Sequence, residues 1–115
     1  FPFFPELKKI IYATVGLGDY LKSKLRDSES IDLAFIYGSV ARNEETERSD
    51  IDLFVVGRIA EEELHKLVSE MEKEIGREIN YTLMTRRELT QRRKRGEPFI
   101  KRLEKEKKLL LKGSF

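Results

Sequence analysis

FIYGSVARNEETERSDIDLFVV, at residues 35–56, is the stretch that decides the fold. An apolar run ends in Gly38 and Ser39. A charged loop follows, and a second apolar run begins with Asp50 and Asp52. Because residues i and i+2 of a β-strand point to the same face, the two aspartates are expected to converge on one point, with the intervening residue toward the core. Two carboxylates beside a turn of small residues are suited to holding Mg²⁺ against a phosphate group.

Each half of this pattern also has an ordinary structural explanation. Aspartate is common in the turns that precede strands, and Gly-Ser after a strand often leads into a helix with serine as its N-cap. The two halves in this order, each at the edge of an apolar strand, are far more specific than either half alone. We therefore interpret the combination as a functional site rather than as two turns.

The same stretch resembles the nucleotidyltransferase signature of the DNA polymerase β superfamily. That signature is an apolar strand, Gly-Ser, a short helix that often carries Ala-Arg-Gly, and Ser-Asp-x-Asp-Leu on the next strand. Residues 33–56 match it, with Ala41 and Arg42 in the expected helix and Ser49 before the first aspartate. The small size is similar to that of the minimal nucleotidyltransferases of archaea and bacteria, a type also found fused to winged-helix DNA-binding domains.

This resemblance implies a role for each residue of the signature. Gly38 would let the backbone approach the triphosphate of ATP or of another nucleoside triphosphate. Ser39 and the adjoining amides would bind phosphate oxygens at a helix N-terminus, and Arg42 is a candidate for a further nucleotide contact. Asp50 and Asp52 would be the catalytic residues and would hold one or two Mg²⁺ ions.

One position departs from the family pattern. Active members usually carry a third carboxylate on a neighbouring strand, and the matching residue here is Asn80. A neutral amide cannot act as a base toward an acceptor hydroxyl. Glu78 would point to the same face of the strand as Asn80, but it lies two residues earlier. The sequence therefore predicts retained nucleotide binding and slow transfer, which Asn80→Asp would raise at least about tenfold.

Two functions remain open from the sequence. The first is an enzyme that uses Mg²⁺ to transfer a nucleoside monophosphate to a hydroxyl of a protein or small molecule. The second is a catalytically weak nucleotide-binding module, regulatory or antitoxin-like, that works with a DNA-binding domain or a helical partner protein. Asn80 favours the second, whereas the intact Gly-Ser and Asp-x-Asp motifs disfavour a plain interaction domain.

Composition limits what the rest of the chain can be. The 115 residues are expected to form one domain, with an N-terminal helical segment at 1–27, a core that carries the site at 31–84 and a basic helical segment at 85–115. Cysteine is absent, which excludes disulfides and thiolate metal sites. No apolar run approaches the roughly 20 residues that span a membrane. We expect a soluble, cytoplasmic protein. The 38% of charged residues favours a thermophilic source, and the resemblance implies an archaeal type.

The net charge of +2 conceals an asymmetry. Residues 86–112 contain twelve Lys or Arg and four Asp or Glu, which gives this segment a net charge of +8. Such a segment is compatible with binding nucleotide or nucleic acid. The alternative is a solvated helix face, and no aromatic side chain interleaves the densest run, Arg92-Arg93-Lys94-Arg95, as base stacking would require.

The apolar spacing predicts a chain of alternating strands and helices, of the α+β class. The resemblance implies that these form a small mixed β-sheet of three or four strands with helices packed on it, similar to the palm of polymerase β. Strands are predicted at 31–37, 51–56, 78–84 and 109–111. Helices are predicted from Pro5, interrupted at Gly16 and Gly18 and resumed over 19–25, then at 39–43, 61–75, 85–95 and 98–106. Gly76 and a capping box at Thr85 mark helix boundaries.

Overall fold

The computed structural model describes residues 16–38 and 50–114 of the chain. In chain order these form α1 (Gly16–Arg26), β1 (Ile31–Tyr37), β2 (Ile51–Gly57), α2 (Glu61–Ile75), β3 (Ile79–Met84), α3 (Arg86–Lys94), α4 (Pro98–Lys105) and β4 (Leu109–Lys112). The α+β class with a four-stranded mixed sheet is confirmed. The helices predicted from Pro5 and at 39–43 lie outside the described residues. None of the four described helices has the length and apolar character that crossing a membrane requires.

The four strands form one sheet in the order β3-β2-β1-β4. Strand β1 is antiparallel to both β2 and β4, whereas β2 and β3 are parallel. A parallel pair needs a crossover connection, and α2 provides it. Strands β1 and β2 are central in the sheet, and every residue of β2 is buried except Asp52, which is half-buried. The apolar runs that flank the Gly-Ser and Asp-x-Asp motifs are thus the two middle strands.

Helices cover both faces of the sheet, because alternate residues of each strand point to opposite sides. On one face the strands pack with α1 and α2, and the buried members include Leu21, Leu25, Leu53, Leu64 and Met71. On the other face Phe35 and Phe54 stack with ring centroids 4.9 Å apart. Leu89 of α3 and Leu103 of α4 belong to this second core. Both sides of β1 and β2 are therefore buried, which explains their nearly continuous apolar sequence.

The predicted interruption at Gly18 is wrong, because α1 runs unbroken from Gly16 to Arg26. A Cβ atom added to Gly18 would lie 3.1 Å from Leu109 Cδ2 of β4. The missing side chain lets the helix approach the edge strand closely. The close packing against β4 thus offsets the helix propensity of glycine, which is about 1 kcal/mol less favourable than that of alanine in a helix interior.

The other helix ends follow their sequence signals. Thr85 Oγ1 accepts a hydrogen bond from the Glu88 amide at 3.1 Å, as the capping box predicts. Helix α2 ends at Gly76, which adopts the left-handed conformation with φ 68°. Helix α3 ends at Lys94 with Arg95 as its C-cap, and Gly96 follows in the left-handed conformation with φ 65°, as the predicted stop requires. The remaining strand and helix boundaries agree with the predictions to within one residue.

Candidate functional site

The Asp-x-Asp motif lies where β2 begins. Asp50 immediately precedes the strand and is exposed, and Asp52 is the second residue of the strand. In the sheet register Asp52 lies between Tyr37, the last residue of β1, and Asn80, the second residue of β3. Residues opposite each other in neighbouring strands share a face of the sheet. These three side chains therefore lie side by side, on the face that α3 and α4 cover.

Asn80 connects the two aspartates through its side-chain amide. Its Nδ2 donates a hydrogen bond of 3.3 Å to Oδ2 of Asp50, and a hydrogen bond from Asn80 also lowers the pKa of Asp52. The amide thus lies between the carboxylates, at the place where the family pattern has an acid. As a donor it offsets part of their repulsion when no cation is present.

The ionised form of Asp52 is disfavoured by its surroundings. Burial raises the pKa of this carboxyl above its ordinary value, the charge of Asp50 raises it further, and the Asn80 hydrogen bond acts in the opposite direction. The pKa of the neighbouring Tyr37 hydroxyl is also raised, chiefly by burial. Two carboxylates held close together in a partly desolvated position would be stabilised by a divalent cation.

Gly38 brings the backbone into contact with Asp52. The residue has φ 78°, and a Cβ atom added to it would lie only 2.6 Å from Asp52 Oδ2. A side chain is excluded here on two grounds, the left-handed backbone and the missing space. The residue that follows β1 and the aspartate at the start of β2 are therefore in direct contact. Ser39 and Arg42, the other residues predicted to bind nucleotide, lie outside the described residues.

The donor set fits a metal ion that arrives together with a phosphate. Among residues 16–38 and 50–114, no cluster of three or more His, Cys, Asp or Glu side chains is placed to hold a metal ion. Asp50 and Asp52 thus provide two carboxylates and no more. Magnesium usually binds through one or two carboxylates together with water and substrate phosphates, so two are sufficient for a shared site. The same pair would hold a resident ion only weakly.

Two other residues considered from the sequence lie apart from this pair. Glu78 precedes β3 and its side chain is exposed, while its carbonyl accepts a hydrogen bond of 2.9 Å from the Ile51 amide. His65 is exposed on α2, with its ring 6.5 Å from that of Tyr81. Neither side chain contributes to the arrangement of Asp52 and Asn80.

The basic run at the end of α3 is largely engaged in ion pairs within the chain. Arg92 bridges Glu88 and Glu97, with N–O distances of 3.0 and 2.8 Å. Arg93 pairs with Glu104 at 3.6 Å, and the guanidinium of residue 95 pairs with Glu97 at 3.8 Å. These contacts favour the interpretation of the run as a structural, solvated helix face.

Sequence reasoning missed Glu106, which follows α4 and is half-buried. Its charge contributes to raising the pKa of both Asp52 and Tyr37, after burial and other causes. The available signal was the closing strand predicted at 109–111. Because β4 pairs antiparallel with β1, the residues that precede β4 lie at the end of the sheet that carries the Asp-x-Asp motif.

Two open grooves on the described part of the surface lie elsewhere. Grooves of roughly 470 and 570 Å³ run along α1 and α2, on the face of the sheet opposite to Asp52. Their lining mixes both signs of charge, with Lys24, Glu70 and Lys73 among its members. A lining of mixed charge favours no single class of ligand. The candidate site is therefore identified by the two neighbouring aspartates and the turn at Gly38, and not by the shape of the surface.

Comparisons with known proteins bear on this arrangement. A family model described as "Polymerase beta, Nucleotidyltransferase" matches residues 19–114. A toxin–antitoxin crystal structure with AMP-PNP superposes with a TM-score of 0.56 at 16% identity, over 84% of this chain and 73% of that chain. A mutant MntA–HpeT toxin–antitoxin structure superposes with a TM-score of 0.57 at 14% identity, with the same coverage. At these identities the likeness shows the fold alone. No curated protein matches the chain in sequence.

Proposed function

Since the chain belongs to the polymerase β nucleotidyltransferase family, we propose that it binds a nucleoside triphosphate with Mg²⁺ and transfers the nucleoside monophosphate to a hydroxyl of a protein or small molecule. The observation that carries this proposal is the convergence of Gly38, Asp50 and Asp52 at one end of the sheet. A backbone without a side chain, in contact with one of two neighbouring carboxylates, suits a triphosphate and its cation.

Each residue has a proposed role. Asp50 and Asp52 would hold Mg²⁺, and the backbone at Gly38 would lie against the triphosphate. Ser39 and Arg42 are proposed to contact phosphate oxygens. When bound, the cation would stabilise negative charge on the phosphates. The protein would position the cation, because the start of β2 and the side-chain amide of Asn80 hold the two carboxylates in place.

ATP is the proposed triphosphate. One structure that shares the fold was crystallised with AMP-PNP, an analogue of ATP. This supports an adenine nucleotide as the substrate.

A protein partner is also proposed. Both structures compared above are toxin–antitoxin complexes, which supports a role beside a second protein that would supply the acceptor hydroxyl or be regulated by the bound nucleotide. A DNA-binding partner domain stays a prediction from the sequence resemblance.

One observation favours a second function, the nucleotide-binding module with weak catalysis. Asn80 donates a hydrogen bond to Asp50 instead of adding a third carboxylate. Nucleotide binding without transfer would then be the physiological activity, and the bound nucleotide would control the association with the partner.

Incubation of the protein with α-labelled ATP separates these functions. We expect pyrophosphate release and labelled product in the presence of Mg²⁺, and neither product with Asp52→Asn. Equal product with wild type and Asp52→Asn would contradict the proposed site. Tight binding of ATP without any product would leave the binding module as the function.

A further inference from the structure

Transfer to a hydroxyl requires a group that accepts the hydroxyl proton. In the proposed site Asp50 and Asp52 are committed to the cation, and Asn80 is a neutral donor. The identity of the missing base rests on the proposed function, because only transfer to a hydroxyl requires such a group. A suitable group must lie close to Asp52, on its face of the sheet, and must not itself belong to a metal-binding cluster.

The topology places Glu106 at the correct end of the sheet. Strand β4 begins at Leu109, which pairs with Ile36 of β1. The next residue of β1, Tyr37, pairs with Asp52. Glu106 lies three residues before β4, so the chain passes this end of the sheet as it leaves α4.

Helix α4 also covers the correct face. The ring of Phe99 packs edge-on against Tyr37, with centroids 6.0 Å apart, and it lies 6.3 Å from Phe54. Tyr37 shares its face with Asp52, because the two are opposite each other in the register. Glu106 therefore directly follows the helix that covers the face of the sheet on which Asp52 lies.

The backbone around Glu106 is held in place. Its amide donates a hydrogen bond of 3.0 Å to the Arg102 carbonyl, which closes α4. Lys108 Nζ donates to the carbonyls of Glu106 at 2.9 Å and of Leu103 at 2.5 Å. The residue is half-buried, and its Oε2 atom is shielded from solvent. The backbone at Glu106 is thus anchored and one of its carboxylate oxygens is sheltered, in contrast to the exposed side chain of Glu78.

Electrostatics agrees with this placement. The charge of Glu106 acts on both Asp52 and Tyr37, as the smallest of the contributions that raise their pKa values. Nevertheless, the described residues contain no cluster of three acidic side chains that could hold a metal ion. Glu106 is thus a charged neighbour of Asp52 that does not join Asp50 and Asp52 in such a cluster.

We propose that Glu106 is the general base of the transfer reaction, in place of the carboxylate that the family usually has at the position of Asn80. The acceptor oxygen forms a bond to the α-phosphorus while its proton moves to the Glu106 carboxylate. The bond between the α-phosphorus and the bridging oxygen breaks, and its electron pair leaves with pyrophosphate. On this account transfer is substantial, contrary to the slow reaction predicted from the sequence.

The test measures pyrophosphate release from saturating MgATP, with water as the acceptor, together with the Kd of MgATP by calorimetry. Glu106→Gln keeps the size of the side chain and removes the base. We expect it to lower kcat by roughly 10²–10⁴-fold while Kd stays unchanged. Glu104→Gln removes the same charge from an exposed position in the last turn of α4, two residues before Glu106, and Glu78→Gln tests the alternative base. Both should retain the wild-type kcat.

Rescue separates catalysis from structure. In the Glu106→Gln background, Asn80→Asp should restore release by at least about tenfold, because it supplies a carboxylate at the family position. A purely structural defect would not be repaired in this way. An unchanged kcat in Glu106→Gln, a loss in Glu78→Gln instead, or a wild type that binds MgATP without release would overturn the assignment. Failure of the wild type to bind MgATP would remove the proposed function itself.

Discussion

Asp52 Oδ2 lies 2.6 Å from the position that a Cβ atom on Gly38 would occupy, and Gly38 has φ 78°. The carboxylate therefore fills the space that any other residue would need for its side chain. This contact joins the end of β1 to the start of β2, the two halves of the sequence motif. It explains in physical terms why glycine stands at this position beside the aspartate pair.

Gly38→Ala should lose both stability and nucleotide affinity. The left-handed conformation costs a non-glycine residue about 1–2 kcal/mol, and the new Cβ must displace Asp52. Gly76→Ala is the matched control, because Gly76 has φ 68° with nothing within 4 Å of an added Cβ. Urea denaturation should show a loss for both variants, and calorimetry a weaker MgATP affinity for Gly38→Ala alone. Equal MgATP affinity in the two variants would show that the contact has no role in binding.

Asp52→Asn should stabilise the metal-free protein at neutral pH. Burial and Asp50 raise the pKa of Asp52 in the folded state, so the folded state binds this proton more tightly than the unfolded chain does. The corresponding stability is present below the unfolded-chain pKa, about 3.9, and is lost as the pH rises through the folded-state value. In EDTA at pH 7 the variant should gain at most about 1 kcal/mol, because the carboxylates are partly solvated.

The check is the free energy of unfolding in EDTA between pH 4 and pH 7, by urea denaturation. The difference between variant and wild type should shrink as the pH falls. A variant that is less stable than the wild type at pH 7 would mean that ionised Asp52 stabilises the metal-free fold. That result would contradict the repulsion inferred between the two carboxylates.

Arg92→Ala should destabilise the protein more than Lys94→Ala. Arg92 bridges Glu88 of its own helix and Glu97 of the following turn, with N–O distances of 3.0 and 2.8 Å, whereas Lys94 is exposed. We expect a difference of about 1 kcal/mol in urea denaturation. Equal stability of the two variants would show that the bridge contributes nothing measurable.

A nucleic-acid role for residues 86–112 makes a separate prediction. Binding of a single-stranded oligonucleotide should weaken linearly with the logarithm of salt concentration, by about 0.7 per phosphate contact. Neutralising Arg92, Arg93, Lys94 and Arg95 together should then flatten this slope in a fluorescence anisotropy titration. An unchanged slope, or no binding at low salt, would leave the run with the structural role that its ion pairs indicate.

Much of the fold could be predicted because local signals and tertiary structure agree. The apolar runs of β1 and β2 are buried on both faces, and α2 ends at Gly76 as its sequence indicates. The convergence of Asp50 and Asp52 followed from strand geometry alone. These features depend on residues that are close in sequence, which is why a single chain is sufficient to recognise them.

The features that escaped prediction depend on contacts between distant segments. Gly18 continues a helix because Leu109 of the edge strand packs where its side chain would be. Glu106 approaches Asp52 only because β4 pairs with β1 and not with β3. The order of strands in a sheet cannot be read from apolar spacing. The closing strand predicted at 109–111 was therefore not sufficient to place Glu106 beside Asp52, whereas the neutral residue at position 80 could be read from the sequence.

The most direct test of the account is titration calorimetry of ATP against the protein, with Mg²⁺ or with EDTA. We predict binding with Mg²⁺, none in EDTA, and an affinity at least about tenfold weaker, or about 1.4 kcal/mol, for the Asp50→Ala, Asp52→Ala double variant. The double variant should fold normally, since removal of two clustered like charges relieves repulsion. Asp27→Ala, Asp32→Ala removes the same charge from exposed positions and should bind like the wild type. Equal ATP affinity in the wild type and the Asp50, Asp52 variant would contradict the central claim that these carboxylates hold the cation of the bound nucleotide.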